Sequence, residues 1–330
     1  MKLLRVVRRT AFVVITTLVA YVLISVAWVG QHERGNARDT APRGGQFVDA
    51  GGVRLFVQVS GPADRAPVML VHGTGAWSGT WFSLVPALTK AGYRVIAVDL
   101  PPFGYSSRAI DTDFSRPAQA SRLLAVLDAL HVRKARVVGH SFGGGPALEL
   151  ALTAPQRVER LVLVDAALAL DAAPNDPHTL ACRLLAHRGR VAVVASTATN
   201  PLWARTLLRS FVARKDAVTD ARLAAYRAPL QLRGSTNALG VWAHDFACAP
   251  RTGVSTRPDD VARLAVPLHL IWGDADTITP LVQARRLDAL VPGAQLDVLH
   301  GVGHIPHIED PASFEPLLLQ VLARTPPPSR

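Results

Sequence analysis

Val137-Val138-Gly139-His140-Ser141-Phe142-Gly143-Gly144 decides how this chain reads. A β-branched run gives way to Gly-x-Ser-x-Gly, and Gly145, Pro146 and Ala147 then open a helical stretch. That order predicts a strand, a sharp turn with Ser141 at its apex, and a helix. A serine on so tight a turn takes a strained backbone conformation. The residues two before and two after it must therefore be nearly free of side chain. The helix that follows directs its unpaired N–H groups and positive dipole end at the reacting centre. Ser141 is the candidate nucleophile.

A serine hydroxyl reacts only when a base takes its proton and a third group orients that base. In the chain order Ser, acid, His, both partners follow the turn at the ends of late strands. Leu268 to Gly273 reads as a buried strand, and Asp274-Ala275-Asp276-Thr277-Ile278-Thr279-Pro280 as the loop after it. A helical stretch (Leu281 to Leu290) and a further strand (Ala294 to Leu299) come next. The chain then opens into Gly301-Val302-Gly303-His304-Ile305-Pro306. Three acids compete: Asp276; Asp274, equally suited to closing its own turn; and Asp165, at the end of the strand Leu161–Val164. His300 and His307 flank His304 and read as surface or capping histidines. The glycines at 301 and 303 free the loop around His304 and make it the base. His140, within the turn, points away from Ser141 in the usual geometry and is expected to pack rather than react.

Taken together, these stretches resemble the α/β-hydrolase fold family, specifically its cap-bearing serine hydrolases. The resemblance rests on His72-Gly73-Thr74-Gly75, the serine turn, Trp272-Gly273-x-x-Asp276-x-x-x-Pro280, and Gly301-x-Gly303-His304 ahead of Glu309-x-Pro311. It extends over residues 47–325. It implies Ser141 as nucleophile, Asp276 as orienting acid and His304 as general base. The backbone amides of Thr74 and Phe142 would form the oxyanion hole. Asp99 to Ser107 resembles the family's Asp-x-Pro-Gly-x-Gly-x-Ser loop, with Pro102 where the first glycine is usual. Dehalogenases and epoxide hydrolases of this fold carry a carboxylate where Ser141 stands, which disfavours them. Ester hydrolysis through an acyl-enzyme is the leading expectation. Carbon–carbon bond hydrolases and cofactor-free haloperoxidases share the triad, and a silent binding protein on the same scaffold is the remote alternative.

The remaining segments predict the architecture. Strands at Gln46–Asp49, Val53–Ser60, Val68–Val71 and Tyr93–Val98 alternate with helices at Trp81–Ala91 and Ala118–Leu130. Such alternation gives an α/β fold with a mostly parallel, doubly wound sheet. About a hundred residues separate Val164 from Leu268, far more than a plain connection requires. This stretch reads as a helical cap over residues 168–262, between core segments 47–167 and 263–330, with helices near Leu180–Leu185, Trp203–Val212 and Asp220–Leu232. Of its aromatics, Trp203, Phe211, Trp242 and Phe246 are pocket candidates, with Trp242 and Phe246 expected to touch a small-molecule substrate.

The N-terminus stands apart. Residues 1–9 are basic, and 10–30 contain an uncharged run from Ala11 to Val29 that would span roughly 28 Å as a helix. Lys2, Arg5, Arg8 and Arg9 precede it with no acid among them. This favours a single-pass membrane anchor with the catalytic part outside the cytoplasm. Ser25-Val26-Ala27 would suit cleavage of a signal peptide instead, leaving a secreted or periplasmic enzyme. Residues 31–46 read as an exposed linker. The formal charge of +11 is concentrated in residues 1–45 and 171–262 and gives no sign of nucleic-acid binding. Cys182 and Cys248 lie too far from other ligands for a metal site, and no cofactor is expected; they either pair or remain two buried thiols.

Overall fold

A computed structural model describes residues 2–170, 175–186 and 189–324. Eight strands form one sheet: β1 (Gly45–Ala50), β2 (Val53–Ser60), β3 (Pro67–Val71), β4 (Arg94–Val98), β5 (Ala135–His140), β6 (Val158–Val164), β7 (Leu268–Gly273) and β8 (Gln295–Leu299). Their spatial order is β1-β2-β4-β3-β5-β6-β7-β8. The hairpin β1–β2 joins β4 antiparallel, and every pairing from β4 to β8 is parallel. Central strands such as Val68-Met69-Leu70-Val71 are apolar on both faces because helices cover both. Leu84–Lys90 and Pro311–Ala323 cover one face, burying Trp81, Leu84, Leu88, Phe314 and Leu318. Arg116–Ala129, Gly144–Thr153 and Leu281–Leu290 cover the other.

Between β6 and β7 the chain leaves the sheet and builds a helical layer. Its described helices of six or more residues are Leu180–Leu185, Gly189–Ser196, Pro201–Phe211, Asp220–Arg227 and Ser235–Cys248. Two of them, Gly189–Ser196 and Ser235–Cys248, lie outside the three helical stretches that the sequence pattern predicts. The second begins Ser-Thr-Asn and contains Gly240, so its apolar spacing is diluted. The stretch expected from Asp220 to Leu232 ends at Arg227, where Pro229 belongs to a 3-10 turn, Ala228–Gln231. Arg116 ties down both stems of the layer, donating to the carbonyls of Ala167 (3.2 Å), Leu168 (2.6 Å) and Ser255 (3.1 Å). Burial brings its guanidinium pKa down to about 10, leaving it charged at neutral pH.

Cys182 and Cys248 form a disulfide between the first and last of these helices. The N-terminal helix runs Lys2–His32 and docks only by its far end, where Ser25 and Val29 are buried. Residues 31–46, expected as an exposed linker, contain no buried residue but are tied to the cap. Gly35 donates to Gln231 O at 2.9 Å and accepts from Arg233 N at 3.0 Å, a short parallel bridge to the cap. Glu33 reaches past it to accept from Thr236 N at 2.9 Å.

The disulfide closes a loop with a sequence separation of 66. Replacing Cys182 by Ser is expected to lower unfolding free energy by about 4 kcal/mol through the freed chain entropy. Thermal denaturation with and without reductant tests this: wild type with reductant should match the variant.

Candidate active site

The apex of the serine turn has the geometry that its glycines allow. Ser141 sits at φ +51°, directly after β5. A Cβ on Gly139 would stand 2.8 Å from Ala147 Cβ, and one on Gly143 would stand 2.5 Å from His72 O. Neither clash is relievable by a side-chain rotation, so both positions require glycine.

Three side chains from separate loops meet at this apex. The Ser141 hydroxyl lies 2.7 Å from His304 Nε2 and donates to it, and His304 Nδ1–H donates to Asp276 Oδ2 at 2.8 Å. Asp276 also accepts from Ile278 N (2.7 Å), Thr279 N (3.0 Å) and Thr279 Oγ1 (2.6 Å). Burial would raise its pKa; the bonds from His304 and Thr279 outweigh that and hold it below the usual carboxylate value. The acid is therefore ionised and fixes the proton of His304 on Nδ1. This leaves Nε2 free to receive the serine proton.

The competing residues have other partners. Asp274 caps the turn at the protein surface, accepting from His300 Nδ1 (2.9 Å) and Gly301 N (2.7 Å). Asp165 is fully buried beneath the loop, with Gly273 N donating to it at 2.9 Å. Burial and the neighbouring Asp276 charge push its pKa well above the usual carboxylate value. His307 is neither a surface nor a capping residue: it is buried against Trp81, with ring centroids 4.7 Å apart. His140 packs, as its position in the turn predicts, but its Nε2–H also donates to the carbonyl of His304 at 2.7 Å. Burial lowers its pKa to about 3 and keeps it neutral.

Thr74 and Phe142 both border the site. Thr74 lines the cavity with Ser141, and Phe142 is the second residue of a 3-10 turn, whose first N–H groups lack intrahelical partners. The Thr74 loop is held by His72, whose Nδ1–H donates to Gly73 O (2.8 Å) while Nε2 accepts from Leu100 N (3.0 Å). Burial of the ring lowers its pKa to about 4, against the opposing effect of the bond to Gly73 O. Asp99 steadies the neighbouring loop, accepting from Ser78 N (2.6 Å) and Tyr105 N (2.7 Å). The Pro101–Pro102 peptide, at the position where glycine is usual, is cis.

Sequence reasoning gave Glu309 no role beyond its place in Glu-x-Pro. Its carboxylate accepts four backbone N–H groups: Gly303 (3.0 Å) and Ile305 (3.1 Å) on either side of His304, and Ala213 (2.7 Å) and Arg214 (3.0 Å) from the cap. His304 N in turn donates to Phe211 O at 3.0 Å. Cap and catalytic loop are therefore one hydrogen-bonded unit.

Ser141 and His304 open into a cavity of about 180 Å³ under the cap. Trp242 and Phe211 are in its wall, along with Leu207, Leu208 and Tyr226. Phe246 is not. It is half-exposed, stacks on the far side of Trp242 at 5.0 Å, and lines a neighbouring cleft of about 770 Å³. Trp203 also lies outside, donating to the Tyr21 hydroxyl at 2.6 Å. Arg227 is the one charged side chain bordering the cavity among the described residues.

Residues 66–311 match the family described as alpha/beta hydrolase fold. The chain belongs to that family. It is 34% identical over 301 residues to the 2-hydroxymuconate semialdehyde hydrolase of Pseudomonas sp. (strain CF600), covering 87% of this chain and 97% of that one. Among solved structures it is similar to the meta-cleavage product hydrolase from Pseudomonas fluorescens IP01, with TM-score 0.66, 28% identity, and coverage of 84% and 97%. A membrane phospholipase A shares the fold at TM-score 0.66 and 22% identity, covering 98% of both chains. The chain is thus a hydrolase.

Asp276→Asn is expected to leave the hydrolase folded and cut kcat by about three orders of magnitude, because an amide cannot hold the His304 tautomer. Asp274→Asn should change kcat by less than about threefold. Glu309→Gln places an amide NH2 against backbone donors. It should cost about 2–4 kcal/mol of stability and lower kcat more than it raises KM, which denaturation and steady-state kinetics read separately.

Proposed function

We propose that this hydrolase cleaves the bond between an acyl carbon and a neighbouring carbon through a covalent intermediate on Ser141. The observation that carries the acyl-transfer part is the continuous Ser141–His304–Asp276 hydrogen-bonded chain bordering a mostly apolar cavity. Ser141 attacks the carbonyl as His304 takes its proton, and the Thr74 and Phe142 amides receive the oxyanion. On collapse of the adduct, His304 returns that proton to the departing carbon. Water, deprotonated by the same histidine, then releases the acid. The choice of a carbon–carbon bond is supported by the relative at 34% identity, since the 2-hydroxymuconate semialdehyde of its name contains no ester or amide. Arg227 is placed to hold a substrate carboxylate.

Hydrolysis of an ester-like substrate is the second reading. It is favoured by the apolar wall of Leu207, Leu208, Phe211 and Trp242, which suits an acyl chain. We further infer that the N-terminal helix anchors the enzyme in a membrane, with the catalytic domain outside the cytoplasm. Its docked end supports retention over cleavage. Tyr21 donates to Ser196 O at 2.6 Å, and Asn200 Nδ2 donates to Ser25 Oγ at 3.1 Å; removal of residues 1–27 would break both bonds. The cap disulfide agrees with an oxidising compartment.

The test pairs two substrates on purified full-length enzyme: a 2-hydroxy-6-oxo-dienoate, followed by loss of its visible absorbance, and p-nitrophenyl butyrate. Higher kcat/KM on the dienoate is expected, with Ser141→Ala lowering both by about three orders of magnitude. Arg227→Met should raise KM about tenfold for the dienoate alone, the loss of one charge-assisted bond. Preference for the ester and indifference to Arg227 would establish the second reading.

A further inference from the structure

The N-terminal helix and the cap pose a problem of depth. The uncharged run begins after Arg9, and the helix first bonds the cap at Tyr21, twelve residues later. Twelve residues of helix rise roughly 18 Å, whereas a bilayer's hydrocarbon is roughly 30 Å thick. With Arg9 at one surface, Tyr21 therefore lies well inside the apolar layer, and the opposite boundary falls near Val29.

Exposure along the helix agrees. Beyond Tyr21, Ser25 and Val29 turn to the cap, while Leu23 and Ile24 on the other side remain 64% and 68% exposed. Two such residues beside a docked surface need an apolar covering. The cap segment at the same level is the start of the Pro201–Phe211 helix, where Trp203 donates to the Tyr21 hydroxyl. That helix presents Leu202 (74% exposed), Trp203 (49%) and Leu207 (40%) outward, beside the N-terminal helix that Trp203 bonds, with Arg205 between them paired to Asp220. Arg209 and Ser210 follow in its last turn, where a polar boundary is expected. Leu207 and its neighbour Ala204 also border the Ser141 cavity.

We propose that the Pro201–Phe211 helix is embedded in the catalytic-side leaflet, and that an apolar acyl substrate enters the Ser141 cavity from the lipid past Leu207. The inference rests on the membrane anchoring proposed above and on the apolar acyl substrate of the second reading. The occupant of this face is a lipid leaflet because the exposed face lies beside the anchor and the depth arithmetic leaves it no water.

The experiment uses full-length protein in phosphatidylcholine vesicles, first washed with carbonate. Loss of the protein in the wash would mean that anchoring itself fails, and the inference falls with it. On retained protein, intrinsic fluorescence is quenched by lipids brominated at defined acyl positions, comparing wild type with Trp203→Phe. A quenched component in the wild type that the variant lacks is expected. Its absence from retained protein overturns the inference while leaving the anchor intact, and is also the result if a second copy of the chain covers this face. As an independent readout, Ser141 is labelled with a long-chain, vesicle-dissolved fluorophosphonate and with a short water-soluble one. Leu202→Asp should slow the first several-fold and leave the second unchanged. Equal rates of long-chain labelling in variant and wild type would also overturn the proposal.

Discussion

Everything in the site depends on a backbone conformation that only two glycines make possible. Ser141 at φ +51° lifts its hydroxyl clear of β5 and starts the next helix in a single step. The contacts that forbid side chains at Gly139 and Gly143 are with the helix and with β3's end, so the strain is held by the packed core rather than by the turn alone. A left-handed non-glycine residue costs of the order of 1–3 kcal/mol, well within what such a core supplies. The same approach of chains sets His72, and through it the Thr74 loop, against the nucleophile.

A second constraint links the chemistry to the cap. Glu309 gathers two N–H groups from the histidine loop and two from the residues after the Pro201–Phe211 helix. His304 is also bonded through its own backbone, N to Phe211 O and O to His140 Nε2. His304, the proposed general base, is therefore held from the core and the cap at once. A displacement of the cap would change the His304–Ser141 distance as well as the shape of the cavity. Specificity and turnover are then coupled through these bonds, although no cap side chain takes part in the proton transfers.

What the sequence made legible follows from the range of the interactions involved. The strand-turn-helix at Ser141, the glycine-freed loop of His304 and the strands with apolar runs are local features, and periodicity and turn chemistry report them directly. The assignment of Asp276 over Asp274 needed the family spacing; the structure separates them by depth, one beneath His304 and one capping a surface turn. Glu309 stayed unread because its four partners come from segments about ninety residues apart. Phe246 and Trp242 are four residues apart on one helix and indistinguishable by pattern, yet Trp242 faces the cavity while Phe246 stacks behind it. The binding of Gly35 and Glu33 to the cap was hidden for the same reason, since polar composition suggests an exposed linker and says nothing of a distant partner.

The buried histidines show how this site keeps a single proton mobile. His72, His140 and His307 are all held neutral, chiefly by burial, and the hydrogen bonds of the first two to carbonyls fix which nitrogen carries the proton. Three imidazoles near the triad thus add directional dipoles without adding charge. A charged His140, with ring centroid 5.3 Å from that of His304, would oppose formation of the imidazolium on which the reaction depends. Asp276 is the carboxylate that touches His304, while burial and the Asp276 charge push the pKa of Asp165 beneath it well up. A positive charge developing on His304 would therefore meet the Asp276 carboxylate directly, with the neighbouring imidazoles held neutral. That asymmetry, established by burial before any substrate arrives, directs the proton from Ser141 to Nε2 and nowhere else.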